Sequence, residues 1–140
     1  MSKGFYNVPN AVNEPVKEYT PNSEELACLL KEYKRMYNTT IDIPMYIGSK
    51  KIYTNDKRVL SPPHEHSHKI GTSNYGSSKE VQAAIDVAMS ARKKWADMKW
   101  ENRAAIFLKA ADLLAGPFRT KLNAATMLAQ SKNVMQAEID

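Results

Sequence analysis

From Arg103 to Asp140 apolar residues recur every three or four positions, interrupted once at Gly116-Pro117. Ala104, Phe107, Leu108, Ala111 and Leu114 fall on one face at that spacing, and Phe118, Leu122, Ala125 and Leu128 continue the pattern. A repeat near 3.6 residues does not match the two-residue alternation of a strand, so this stretch is committed to consecutive short helices. Glu101 opens the first and Gly116 ends it, while Pro117 suits the first position of the next, where its missing N–H costs nothing. Val134, Ala137 and Ile139, with Glu138 and Asp140, look like the first turns of a further amphipathic helix. No Gly or Asn cap and no basic last turn follows them, and we read the chain as one piece of a longer polypeptide.

Upstream the pattern differs. Residues 1–21 are rich in Asn and Pro without periodicity and read as an extended N-terminal arm. Residues 22–140 read as one incomplete unit of helices and a hairpin. Asn22 or Ser23 caps a helix whose first turn carries Glu24 and Glu25, favoured by the helix dipole. Leu26, Leu29, Leu30, Tyr33 and Tyr37 follow at helical spacing, and 38–44 ends the helix. Residues 45–59 alternate and turn at Gly48-Ser49 and Asn55-Asp56, a hairpin pattern rich in β-formers such as Ile47, Ile52, Tyr53 and Val59. A short strand near 69–72 follows the Pro62-Pro63 break. Ser77 and Glu80 then form a capping box for a helix whose face is Val81, Ala84, Ile85, Ala88 and Trp95. The expected fold class is α+β: mostly helical, with helices over 23–37, 78–96, 101–115 and 117–129 and one small antiparallel sheet over 45–72.

Composition removes several function classes. With 43% hydrophobic and 25% charged residues the chain resembles ordinary folded proteins, and no apolar run reaches the length of a membrane span. The first fifteen residues show neither an apolar signal core nor an Arg-rich transit helix, and Cys28 is the only cysteine. Both point to a reducing bacterial cytosol. The net charge of +5 is spread along the chain and broken by Glu and Asp, so it describes a solvated surface and not a nucleic-acid footprint.

Residues of chemical interest are few. His64, His66 and His68 would project from one face if extended, and imidazole ligates zinc, but the spacing is not a zinc signature. The Pro-Pro before them marks a surface loop, and we read the three as structural. Cys28 lies inside the first helix beside Lys31 with no neighbouring His, whereas a catalytic thiol needs a depressed pKa and an exposed pocket. Gly71, Gly76 and Gly116 are isolated and form no phosphate loop. The start at Gly76-Ser77-Ser78 has free amides able to hold an anion, and we read it as a plain cap. Glu138 and Asp140 are two apart and do not share a helix face, so they receive no acid–base role, and Lys132 and Gln136 position the turn and helix and face the neighbouring layer. No residue of the chain is assigned as catalytic, cofactor-binding or metal-binding.

Asn13-Glu14-Pro15-Val16, Ala91-Arg92-Lys93-Lys94-Trp95, Ile106-Phe107-Leu108-Lys109-Ala110-Ala111-Asp112 with Leu114 and Gly116-Pro117, and Gln136-Ala137-Glu138-Ile139-Asp140 together resemble the opening part of the Δ1-pyrroline-5-carboxylate dehydrogenases, a branch of the aldehyde dehydrogenase superfamily. Where that family usually has Gly-Gln-Gly-Lys-Thr, this chain has Ala129-Gln130-Ser131-Lys132-Asn133. If the second glycine sits at positive φ, Ser131 is strained there.

The resemblance implies an NAD-dependent oxidation of L-glutamate γ-semialdehyde to L-glutamate, in a Rossmann-type α/β fold and as a homo-oligomer when full length. In that chemistry a Cys thiolate attacks the aldehyde, amide donors hold the oxyanion, and a Glu-activated water releases the product. The nucleophile, the base and the NAD-binding loops would lie in parts of the protein outside these residues, so the partners implied are the rest of the polypeptide and the semialdehyde, without nucleic acid or membrane. A second reading, of another class, is a stand-alone helical interaction module.

Overall fold

Ser23 starts the first helix as expected: its Oγ accepts from the Leu26 N–H at 3.3 Å, and α1 runs Glu24–Tyr37. In a computed structural model the described residues are 4, 7, 10 and 12–140, so the expected arm at 1–3, 5, 6, 8, 9 and 11 lies outside them. After α1 come β1 (Ile41–Ile43), β2 (Met45–Ile47), β3 (Lys50–Ile52), β4 (Lys57–Leu60) and β5 (Gly71–Asn74). The helices α2 (Ser78–Asp97), α3 (Trp100–Ala115), α4 (Arg119–Gln130) and α5 (Val134–Glu138) complete the order.

The capping box of α2 is present: Glu80 Oε2 accepts the Ser77 N–H at 2.8 Å, and Ser77 Oγ accepts from Lys79 at 3.2 Å. β2 and β3 pair antiparallel around Gly48-Ser49, with Gly48 at φ 61, a conformation that a hairpin loop reserves for glycine.

The rest of the sheet corrects the expectation of one antiparallel sheet over 45–72. The second sheet has the order β1-β5-β4, with β1 parallel to β5 and β4 antiparallel to it. The segment read as a helix ending, 38–44, therefore contains a strand. Two parallel strands need a long crossover, and the β2–β3 hairpin with β4 supplies it. Gly71 permits the close approach, since a Cβ there would lie 2.5 Å from the Ile41 carbonyl oxygen.

Two helix expectations are also corrected. Pro117 is not the first residue of α4; it sits in a turn, and Phe118 is the cap. Phe118 N–H donates to Leu113 O and Arg119 N–H to Gly116 O, so the chain stays bonded through the bend before α4 begins. Of the expected stripe Phe118, Leu122, Ala125 and Leu128, α4 buries only Leu128. Its other buried residues are Arg119, Asn123 and Ala124, whereas Phe118 and Leu122 are exposed.

The small core lies where α1 meets α4, around Leu29, Ala124 and Leu128. Helices α2 and α3 bury no residue. Val81, Ile85, Ile106, Phe107, Leu108 and Leu114 stand exposed on them, and Trp95 meets Phe107 edge to face at 6.4 Å.

Candidate functional site

Of the ion-paired carboxylates among the described residues the most enclosed is that of Glu138, whose side chain is 0% exposed. It ends α5, and four residues from two other segments converge on it. Arg119, the first residue of α4, gives its Nε to Oε2 at 3.2 Å and pairs through Nη2 with Oε1. Asn123, one turn along α4, donates Nδ2 to Oε2 at 2.7 Å. From the chain ahead of α1, the Tyr19 hydroxyl donates to Oε2 at 2.8 Å and the Lys17 N–H to Oε1 at 2.7 Å. Arg119 Nη2 also donates to the Pro15 carbonyl at 2.7 Å, and Asn123 Nδ2 to the Tyr19 oxygen at 3.0 Å. Residues four apart on α4 lie on one face, which is why Arg119 and Asn123 reach the same carboxylate.

Burial alone would raise the Glu138 pKa. The Arg119 pairing, the Lys17 amide, the Tyr19 hydroxyl and the Asn123 amide outweigh it and hold the carboxyl down at about 2. Burial, and then the bond to and charge of Glu138, push the Tyr19 hydroxyl up to about 12. A carboxylate so acidic, with both oxygens occupied by donors, is no general base near neutrality. The cluster fastens structure. The sequence reading gave Glu138 no acid–base role and missed this tie.

A second polar group centres on Asp42 in the unanticipated strand β1. Its Oδ1 accepts from Thr72 Oγ1 at 3.0 Å and Asn74 Nδ2 at 2.7 Å, and its Oδ2 pairs with Lys57 Nζ at 2.6 Å. Lys57 is the main cause of its lowered pKa. Asn74 is buried, donates also to Ile43 O at 2.9 Å and accepts the Thr54 N–H at 2.8 Å, so it joins all three strands to the hairpin's exit.

The three histidines do not share a face. Successive turns, with Glu65 N–H bonded to Pro62 O and His68 N–H to Glu65 O, send them apart. His64 Nδ1 shares a 2.7 Å hydrogen bond with Ser131 Oγ, and His66 is exposed. His68 stacks on the Tyr37 ring at 3.8 Å and its Nε2 donates to the Tyr37 carbonyl at 2.8 Å. The Tyr37 hydroxyl in turn donates to Glu65 at 2.8 Å. Among the described residues no three His, Cys, Asp or Glu side chains gather as a metal site.

Ser131 has φ 56, the positive value that the departure from the family's glycine foreshadowed. Lys132 pairs with Asp140, and Asn133 with Gln136 forms a second capping box, at 2.9 and 3.0 Å, that starts α5. Gln136 is solvent-exposed and serves that cap; it does not face another layer.

Cys28 is exposed on α1, in a surface hollow with Lys31, Glu32, Arg35, Phe118 and Lys121 and without a histidine. At the start of α2 the Ser77 N–H donates to the Glu80 carboxylate and the Lys79 N–H to Ser77 Oγ. No described helix is long and apolar enough to cross a membrane.

Comparison with known proteins gives these features a setting. The sequence profile of the aldehyde dehydrogenase family matches residues 52–140. The chain is 41% identical over 136 residues to a Δ1-pyrroline-5-carboxylate dehydrogenase of Agaricus bisporus, covering 96% of this chain and 25% of that protein. It is 41% identical over 128 residues to the mitochondrial enzyme of that name from Bos taurus, covering 91% and 23%. The crystal structure of the Mycobacterium tuberculosis Δ-pyrroline-5-carboxylate dehydrogenase bound with NAD superposes with a TM-score of 0.95 at 42% identity, over 99% of this chain and 26% of that one. A Thermus thermophilus 1-pyrroline-5-carboxylate dehydrogenase variant superposes with a TM-score of 0.86 at 28% identity, over 95% and 26%. The chain spans about a quarter of the length of the relatives it matches. Nothing among them favours a stand-alone interaction module. The chain belongs to the aldehyde dehydrogenase family.

Proposed function

We propose that these residues are the N-terminal part of an NAD-dependent L-glutamate γ-semialdehyde dehydrogenase, which forms L-glutamate in proline degradation. The observation that carries this reading is the match of nearly the whole chain, at 42% identity and a TM-score of 0.95, to one quarter of a Mycobacterium tuberculosis enzyme solved with NAD. The exposed apolar faces of α2 and α3 support it, because faces of this kind are normally covered by further structure. Residues 1–21 serve as an arm, and 22–140 belong to the NAD-binding domain of the whole enzyme. NAD, the nucleophile and the general base belong to the rest of the polypeptide, and the full-length enzyme is a homo-oligomer of the cytosol. The role of this segment is to pack, and to fix where the following chain starts.

The test is to follow NADH absorbance with L-glutamate γ-semialdehyde and NAD, for the full-length polypeptide and for residues 1–140. Turnover is expected from the first and none from the second. A full-length protein that oxidises other aldehydes but not this one overturns the substrate. Cys28→Ser in the full-length protein should leave the rate within about twofold; abolished turnover would place the nucleophile in this segment.

A further inference from the structure

We propose that residues 12–20 form a strap that opens and closes independently of the helices beneath it, with Glu138 as its latch. The strap has no secondary structure of its own, and against the other described residues its apolar side chains hold it weakly: Val12 is 86% exposed and Val16 56%. Among the described residues, the hydrogen bonds that join 12–19 to the helices end on Glu138, Arg119 and Asn123. Arg119 and Asn123 are themselves bonded to Glu138, so the attachment converges on one carboxylate.

The closed state also carries strain. Tyr19 has φ 49, a left-handed backbone in which the Cβ of a bulky residue crowds the carbonyl oxygen. The hydroxyl of that same residue is what reaches Glu138 and Asn123. Closing the strap therefore sets polar bonds against backbone strain, with little apolar burial to add. Segments of this description open locally with a free energy well below that of global unfolding. Glu14 of the strap lines a hollow of 360 Å³ with Leu114, Leu122, Arg119 and Glu138, and opening lifts that wall.

Amide hydrogen exchange and trypsin cleavage after Lys17 in the full-length polypeptide test this. Tyr19→Phe removes two latch bonds and leaves Arg119 paired with Glu138. It should speed exchange of the Lys17 amide, and cleavage after Lys17, about tenfold, while the α4 amides of Asn123 and Ala124 stay within about twofold. Glu138→Gln should act in the same direction and more strongly at Lys17. If strap and α4 amides accelerate by the same factor, the segment opens only with the whole fold and the proposal fails. It fails equally if Tyr19→Phe changes neither readout, an outcome that does not depend on whether Glu138→Gln folds.

Discussion

Glu138 and Arg119, nineteen residues apart, form the ion pair of the described structure with the least solvent access, the carboxylate at 0% and the guanidinium side chain at 10% exposure. An enclosed carboxylate is tolerable only while its donors remain. Arg119→Ala should therefore destabilise by roughly 3–5 kcal/mol, because it leaves a charge without its partner. Arg119→Lys should recover only part of this, since an ammonium cannot reproduce the two-pronged contact. In urea unfolding, the Arg119→Met/Glu138→Gln double variant should lose less than the sum of its single variants, with a coupling above about 1 kcal/mol. Additive losses would show that the pair does not act as a unit.

The same cluster sets a pH window. Glu138 is held at about 2 against an ordinary 4.5, so the folded state favours its ionised form. That stabilisation is complete above 4.5 and is lost as pH falls from there towards 2, on the order of 2–3 kcal/mol in all. Tyr19 works at the other end: its value is raised from 10 to about 12, so its contribution is present below 10 and is lost as pH rises through 12. Stability measured by denaturant at stepped pH should fall at both ends, and Glu138→Gln should flatten the acid limb.

Ser131 offers a test of strain against bonding. Its φ of 56 disfavours any residue with a Cβ by roughly 1–2 kcal/mol, and its Oγ bond to His64 contributes roughly 1 kcal/mol in return. Ser131→Gly removes both and should be nearly neutral in thermal unfolding. Ser131→Ala keeps the strain, loses the bond and should cost about 1 kcal/mol. An alanine variant as stable as the glycine variant would contradict this balance.

Gly71→Ala should damage the parallel pair. The added methyl would sit 2.5 Å from the Ile41 carbonyl oxygen and 2.9 Å from Ile41 Cγ1, and backbone cannot yield there as a flexible side chain can. A loss of about 2–3 kcal/mol is expected. Faster amide exchange at Ile41 and Ile43, with α1 unchanged, would locate the damage at β1.

Helices and caps were legible where the decisive bonds are local. Ser23 and the Ser77–Glu80 box act across two or three residues, and the apolar period around Leu29 or Leu128 repeats within one element. Strand β1 was not legible as such. Thr39-Thr40-Ile41-Asp42-Ile43 carries the β-branched signal, but a three-residue strand has no alternation long enough to separate it from the end of a helix. Its parallel partner lies thirty residues on, at Gly71 to Ser73. The site was equally hidden. That Glu138, Arg119, Asn123 and Tyr19 meet could not be read from a pattern in which each looks like an ordinary surface residue.

What the sequence determined by itself was therefore the kind of each helix, its approximate ends, the Gly48 turn and the family, since each rests on neighbours a few positions apart or on runs of identical residues. Tertiary structure alone decided the parallel β1–β5 pair, the polar buried face of α4 and the bonds from Lys17 and Tyr19 to Glu138. Those contacts join Lys17 and Tyr19 to Glu138 across 121 and 119 residues. A carboxylate becomes a buried anchor only when packing has removed its water and brought donors from distant segments to replace it.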